Sequence, residues 1–314
     1  MEQAITVCDY LSNVDFVMSM GIISDVDIKM SYLEQYAIMI RKTKKPQLVV
    51  CDDVNDLKNI IQMAAVIRGG IDELQRKPLF AMYNEPSSPL VHSFNALDKV
   101  LLCAEYKVPT NYAPGGIAGG TTPYTAGGTI LLSNAECLMG LVIHQLKNPG
   151  APFLYGYGSS PMDMKTMQAG YAMPMAIQIQ GGMCDMARFY GLPSWGEASS
   201  CSKAVDGQAV MEASQFIMMA ALQGCNVTHD IAYLEFGLTY SLDFLVMVDE
   251  IIDRTKHIVK KVETNEDYIG LDAIRRVGHG GNYLGDEHTF NHLKENWRGE
   301  LSDFRSYDDW SKDG

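Results

Sequence analysis

Tyr83, Tyr112, Tyr155 and Tyr157 close apolar runs in the segments PLFAMYN, VPTNYA and APFLYGYG, and their types suit the holding of a cation. Aromatic faces around a cavity attract a quaternary ammonium group through the ring quadrupole. Rim packing of an amphipathic ring explains any one of the four taken singly. Tyr155 and Tyr157 are two apart, so a strand sends both to the same face. Glu85 follows closely on Tyr83 and supplies negative charge. Asp25 and Glu197 occupy comparable places, Asp25 reading mainly as a helix cap. His229 and Asp230 end the last apolar run, where acid–base work or the binding of a carboxylate is open to His229.

The stretch YAPGGIAGGTTPYTAGGT, residues 112–129, offers backbone rather than side chain. It matches neither G-x-G-x-x-G nor G-x-x-x-x-G-K-[ST], and no lysine follows it, which argues against a phosphate cradle. Glycine lets the main chain approach a ligand or another element closely. Thr122 before Pro123 reads as a helix cap followed by an N1 proline. His288 and His292 share a helical face with His279 nearby, but without H-E-x-x-H order or a strand-borne third ligand they read as packing, not a metal site. A Ser–His–Asp triad lacks its G-x-S-x-G elbow.

The elements that must position these groups alternate. Strand-like runs fall at 15–21, 46–52, 78–84, 108–113, 151–158, 192–198 and 225–230, and helical patterns at 26–43, 53–68, 90–106, 123–147, 167–191, 205–224 and 239–262. Such alternation implies parallel βαβ units with both sheet faces covered. An open doubly wound sheet gathers its chemistry at one switch point. Here nearly every strand ends in polar or aromatic residues, as expected of the C-terminal face of a TIM (β/α)8-type barrel. The expected fold is such an α/β barrel over 1–262, one unit short, with the remaining strand upstream of residue 1. A C-terminal helical extension over 263–314 packs on it.

Composition narrows the function classes. Net charge is −13 with scattered Lys and Arg, which disfavours nucleic-acid binding. Seven cysteines without C-x-x-C pairs read as reduced thiols in a cytoplasmic protein. The acidic N-terminus lacks the basic region of a signal peptide, and no window is expected to approach a membrane span.

Several separate segments resemble, in order, the trimethylamine methyltransferase family. They are SNVDFVMSMGIISDV, YNEPSSPL, the run from NYAPGGIAGG to YGYGSSPMDMKT, ARFYGLPSWGEASSCSKAVDGQAVMEA and VGHGGNYLGDEHTFNHLKENW. The resemblance implies a TIM barrel that moves a methyl group from a methylated amine to the cobalt of a separate corrinoid protein. Founding members carry pyrrolysine; only the twenty ordinary residues occur here, as in the branch acting on quaternary amines such as glycine betaine. Family members have a substantial region before SNVDF that holds the first strand, so the resemblance implies either a C-terminal fragment or a partner that supplies the rest. No cofactor is expected to bind this chain tightly, and a homo-oligomer is compatible with the resemblance.

A quaternary amine leaves as a neutral amine and cobalt(I) is the nucleophile, so the protein must supply positioning and electrostatics. Within this reading Tyr83, Tyr112, Tyr155 and Tyr157 form the headgroup cage and Glu85 balances its charge. His229, or Lys203 in the matching SCSKAVD, meets a substrate carboxylate. Gly115, Gly116, Gly119 and Gly120 line the mouth where amine and corrinoid meet. Two rivals stand beside it: a TIM-barrel lyase or hydrolase using Glu85, Asp25 and His229 as acids and bases, and a relative that binds methylammonium compounds without turnover.

Overall fold

Each apolar run contributes a short strand and each helical pattern a helix packed against it. The computed structural model describes residues 1–312. Its parallel strands are β1 (Val17–Met18), β2 (Gln47–Val49), β3 (Phe80–Met82), β4 (Thr110–Tyr112), β5 (Phe153–Tyr155), β6 (Trp195–Glu197) and β7 (Val227–His229). The larger helices are α1 (Glu2–Tyr10), α2 (Ser31–Lys42), α3 (Val54–Arg68), α4 (Phe94–Tyr106), α5 (Ala126–Lys147), α6 (Pro174–Tyr190), α7 (Gly207–Gln223) and α8 (Leu242–Ile258). Helix α1 lies outside the expected pattern; its buried Ala4, Ile5 and Cys8 form a narrow apolar stripe.

Strands β1 to β5 form one parallel sheet in chain order, and β6 pairs in parallel with β7. A bridge between Tyr155 and Ser194 links the two sheets. Among the described residues no strand pairs with the outer edge of β1 or of β7. Phe16, Met18, Leu48, Ala81, Tyr83, Ala113, Trp195 and Val227 meet in a single cluster, so both sheets curl about one shared inner face. The opposite strand faces carry Val17, Val49, Phe80 and Met82 into one helix-covered core, and Tyr112, Phe153 and Tyr155 into another. The architecture is a mixed α/β fold with parallel strands and helices on the outer face.

Local chemistry sets the helix ends. Asp53 caps α3 by accepting from the amides of Asn55 and Asp56 at 2.7 and 3.0 Å, and Gly69 closes it at φ +87°. Thr122 is not the cap of α5: Thr125 is, accepting from Gly128 N. The chain first makes a tight turn in which Ile117 O accepts from Gly120, Thr121 and Thr122 amides, and this turn consumes Thr122 before the helix begins. Asp25 is exposed and caps nothing; Asp27 holds the short 3-10 turn Ile28–Met30.

Helix α5 departs from the expectation on membrane spans. An 18-residue window of it has a mean hydropathy of 1.5, so by length and composition it could cross a bilayer. Its buried positions are Thr129, Ser133, Glu136, Cys137, Gly140 and His144, while Leu131, Val142 and Leu146 are exposed. Glu136 is satisfied by Ser88 Oγ at 2.8 Å and Leu90 N at 2.5 Å. At the other end of the chain, 263–312 folds back on α8: Trp297 Nε1 donates to Asp253 and Glu250 accepts from Leu301 and Ser302.

Candidate functional site

Period-two alternation decides which side chains reach the inner face. On β3 and the residues after it these are Ala81, Tyr83 and Glu85; on β6, Trp195 and Glu197, then Ser199; on β7, Val227 and His229. The register sets His229 beside Glu197 and Val227 beside Trp195. Tyr83 Oη donates to Glu85 Oε2 at 3.1 Å. The rings of Tyr83, Trp195 and His229 lie 4.3–6.0 Å apart. His229 Nδ1 is 2.7 Å from Gly196 O, and Nε2 is 3.4 Å from Asp230 Oδ2. The bond to a carbonyl makes Nδ1 the donor and turns Nε2 toward Asp230.

Beside these groups the wall carries no side chains. A Cβ placed on Gly115 would lie 3.9 Å from Glu85 Oε2, and one on Gly158 4.0 Å from Glu197 Oε2. Both carboxylates therefore border glycine backbone. Burial, then the nearby Asp230, pushes Glu197 well above the ordinary carboxylate range. Glu85 reaches solvent at the rim, yet the protein crowding its carboxyl raises it as well. Tyr171 belongs to the same group: burial and then the fields of Glu197, Asp230 and Glu85 raise its hydroxyl.

Three buried polar atoms here have no hydrogen-bond partner in the protein: Trp195 Nε1, Glu197 Oε1 and Ser199 Oγ. They come from residues 1–2% exposed, at alternate positions along one strand and its continuation. Buried polar groups are satisfied in the great majority of cases, so three in succession on one face mark a place for water or a bound molecule. Glu85, Glu197 and Asp230, with the ring faces of Tyr83 and Trp195, line this mouth.

The sequence-derived residues divide. Tyr83, Glu85, His229 and Gly115 come together in this mouth. Tyr112, Tyr155 and Tyr157 do not join the cage, because they occupy the alternate positions and point to the helices. Tyr112 Oη bonds His92 and its ring fills the place of a side chain at Gly140 of α5; Tyr155 Oη donates to Asn134 of α5; Tyr157 Oη donates to Gln180 of α6. Lys203 donates to Cys201 O at 2.8 Å and lies over the Phe236 ring.

Gly116, Gly119 and Gly120 pack within their own loop. Added Cβ atoms would meet Thr122 at 2.6 Å, Tyr124 at 2.7 Å and Met162 at 2.9 Å. His288 and His292 stack at 4.3 Å and bond Asp267 O and Glu295 respectively, as tail packing. Trp195, Tyr171 and Gly158 were missed, and Glu197 was read only as a group able to hold a cation or cap a helix; a period-two count back from His229's partner strand was the available signal.

A cavity of about 610 Å³ lies between β1 and β7, and Asp230 is among the residues that line it. Phe16, Met18, Leu48, Ile217, Ala220 and Leu245 are among its lining residues, with Trp195 and His229 at the end nearest the mouth.

The scaffold is a parallel α/β fold whose mouth is lined by carboxylates and aromatic rings. The chain belongs to the trimethylamine methyltransferase (MTTB) family, whose model matches residues 1–314. It is 29% identical over 304 residues to trimethylamine methyltransferase MttB of Desulfitobacterium hafniense, covering 96% of this chain and 61% of that protein. Glycine betaine methyltransferase of the same species is 31% identical over 292 residues, 92% of this chain and 61% of the relative. The chain thus spans about three fifths of the length of these relatives. A hyperthermophilic endo-β-1,4-glucanase structure superposes with a TM-score of 0.38 and 9% identity over 81% of this chain and 89% of that one, too weak a likeness to bear on the fold.

Proposed function

We propose that this chain forms the amine-holding part of a methyltransferase that takes a methyl group from a quaternary amine, of the glycine betaine kind, and passes it to a corrinoid carried by a separate protein. The scaffold in this reading is a (β/α)8-type barrel whose C-terminal mouth is the site. The observation that carries it is the run of unpartnered buried polar atoms at Trp195, Glu197 and Ser199 beside Glu85 and Asp230. The names of the two relatives support the substrate class.

The corrinoid supplies a cobalt(I) nucleophile, which leaves little acid–base work for the protein. The chain's own tasks are to neutralise the ammonium, pack its methyl groups and aim one of them outward. Glu197, Asp230 and Glu85 meet the charge. Tyr83, Trp195 and Tyr171 offer ring faces to the methyls. Gly115 and Gly158 leave room for the headgroup, and for a wide flat acceptor to come close. His229 Nε2 is the basic group nearest the carboxylates and the candidate partner of a substrate carboxylate.

The test mixes the protein with a cobalt(I) corrinoid protein and a panel of methylated amines. Growth of the methyl–cobalt absorbance with a quaternary amine supports the proposal. A bell-shaped pH–rate profile for hydrolysis or elimination instead selects acid–base use of Glu85 and His229. The unpaired outer edges of β1 and β7 favour a second reading, in which the amine binds but turnover awaits a further polypeptide segment along that seam. Calorimetric binding of glycine betaine without cobalt methylation selects this one.

A further inference from the structure

Among the described residues, Glu197 is the one carboxylate of the mouth with a buried oxygen that has no hydrogen-bond partner. Its residue is 2% exposed, its backbone N–H is held by Gln180 Oε1 at 3.1 Å, and its strand neighbours fix its direction. The charged and titratable groups around it are His229 and Asp230 of β7 and the residue after it, Tyr157 beyond β5, Tyr83 and Glu85 beyond β3, and Tyr171 before α6. No lysine or arginine bonds it. His229, the group that could carry a compensating charge, spends Nδ1 on Gly196 O and turns Nε2 to Asp230. An isolated carboxylate in such a place keeps its proton.

From this geometry we infer that Glu197 is a proton-labile counter-ion. It is neutral in the empty mouth, and gives up its proton when an ammonium group settles beside Oε1. The exchange balances: Glu197–COOH and a quaternary cation become Glu197–COO⁻ with the cation, and one proton passes to solvent. This rests on the amine-binding reading above and adds what that reading leaves open, the basis of discrimination between a cation and a neutral molecule of the same shape. A neutral isostere gives no field to ionise Glu197 and leaves the acid in place. The device also suits demethylation, since loss of the methyl group erases the ammonium charge and lets the carboxylate recover its proton rather than hold a charged vacancy. The raised proton affinity of Glu197 agrees with this.

The experiment is calorimetric titration of the whole chain with glycine betaine in two buffers of different ionisation enthalpy, which counts protons exchanged. The carbon isostere 3,3-dimethylbutanoate serves as the neutral-headgroup control. The expected result is release of up to about one proton per betaine, with affinity rising as pH rises above the ordinary carboxylate range, and no release with the isostere. Glu197→Gln, matched in shape, is expected to abolish the release, to weaken betaine by at least about tenfold and to leave the isostere within about twofold. Betaine binding without proton release overturns the inference while leaving the amine reading intact. A release that persists in Glu197→Gln assigns the proton to another group of the mouth, Glu85 or His229, and also overturns it. Failure of every methylated amine to bind removes the amine reading itself, and this inference with it.

Discussion

The mouth and the seam are built from the same strands, meet at Trp195 and His229, and are opposite in character. The seam, about 610 Å³ between β1 and β7, is lined largely by aliphatic side chains and by strand edges without partners. The mouth gathers Glu85, Glu197, Asp230, Tyr83 and the glycine backbone at 115 and 158, and Asp230 also lines the seam. What distinguishes the mouth is its cluster of carboxylates; unpartnered buried polar atoms occur in both regions, at Gln47 Oε1 in the seam and at Glu197 Oε1 in the mouth.

The wall the two regions share is the place to break the comparison most forcefully. Trp195→Ala is expected to destabilise the protein by about 3–5 kcal/mol, since a fully buried indole leaves a void, and to lose betaine affinity at once. Urea unfolding with calorimetry on the folded fraction checks both. Gly140→Val forces a side chain into the Tyr112 ring on the helix-covered side. It is expected to cost about 1–3 kcal/mol by overpacking while leaving amine affinity unchanged, which would confirm that Tyr112 stands outside the site. Gly158→Leu should do the reverse: it fills the space beside Glu197, lowers betaine affinity at least about tenfold, and moves the unfolding free energy by no more than about 0.5 kcal/mol.

A smaller effect separates the two regions by pH. Glu197 has its proton affinity raised above the ordinary value of 4.5 by burial, so its contribution to folding is fully present below that value. It is lost as pH rises toward the higher folded value, because the unfolded chain ionises first. The empty protein should therefore lose stability with rising pH across that interval, and Glu197→Gln should flatten the curve. Smallest of all, Ala220→Leu points into the seam and is expected to change stability by less than about 1 kcal/mol and betaine affinity not at all. A fall in affinity there would mean that seam and mouth act as one site.

Much of the scaffold was legible. PQLVVCD, PLFAMYN and CNVTHD are apolar, β-favouring runs set off by turn residues, and each contains its strand. Asp53, which opens the 53–68 pattern, capped its helix, its side chain serving the amides that follow it. Thr122 did not, because the Thr-Thr-Pro signature is equally good for a tight turn, and the turn from Ile117 claims those amides first. The tyrosines show the same limit. Parity placed Tyr155 and Tyr157 on one face, but a period of two cannot say which face is inner. Lys203 lay in a matching segment, yet its amine is held by Cys201 O and the Phe236 ring.

The sequence alone determined the alternation of strands and helices, the common parity of Tyr155 with Tyr157, the excess of carboxylates over bases and the family resemblance. These depend on neighbours along the chain, where spacing translates directly into geometry. Only the tertiary structure decided which parity faces inward, that Glu197 and not Tyr112 stands in the mouth, and that Gly115 opens onto a carboxylate while Gly116 packs against Thr122. Those outcomes depend on strand register and on what lies across the fold, and no local spacing carries that information.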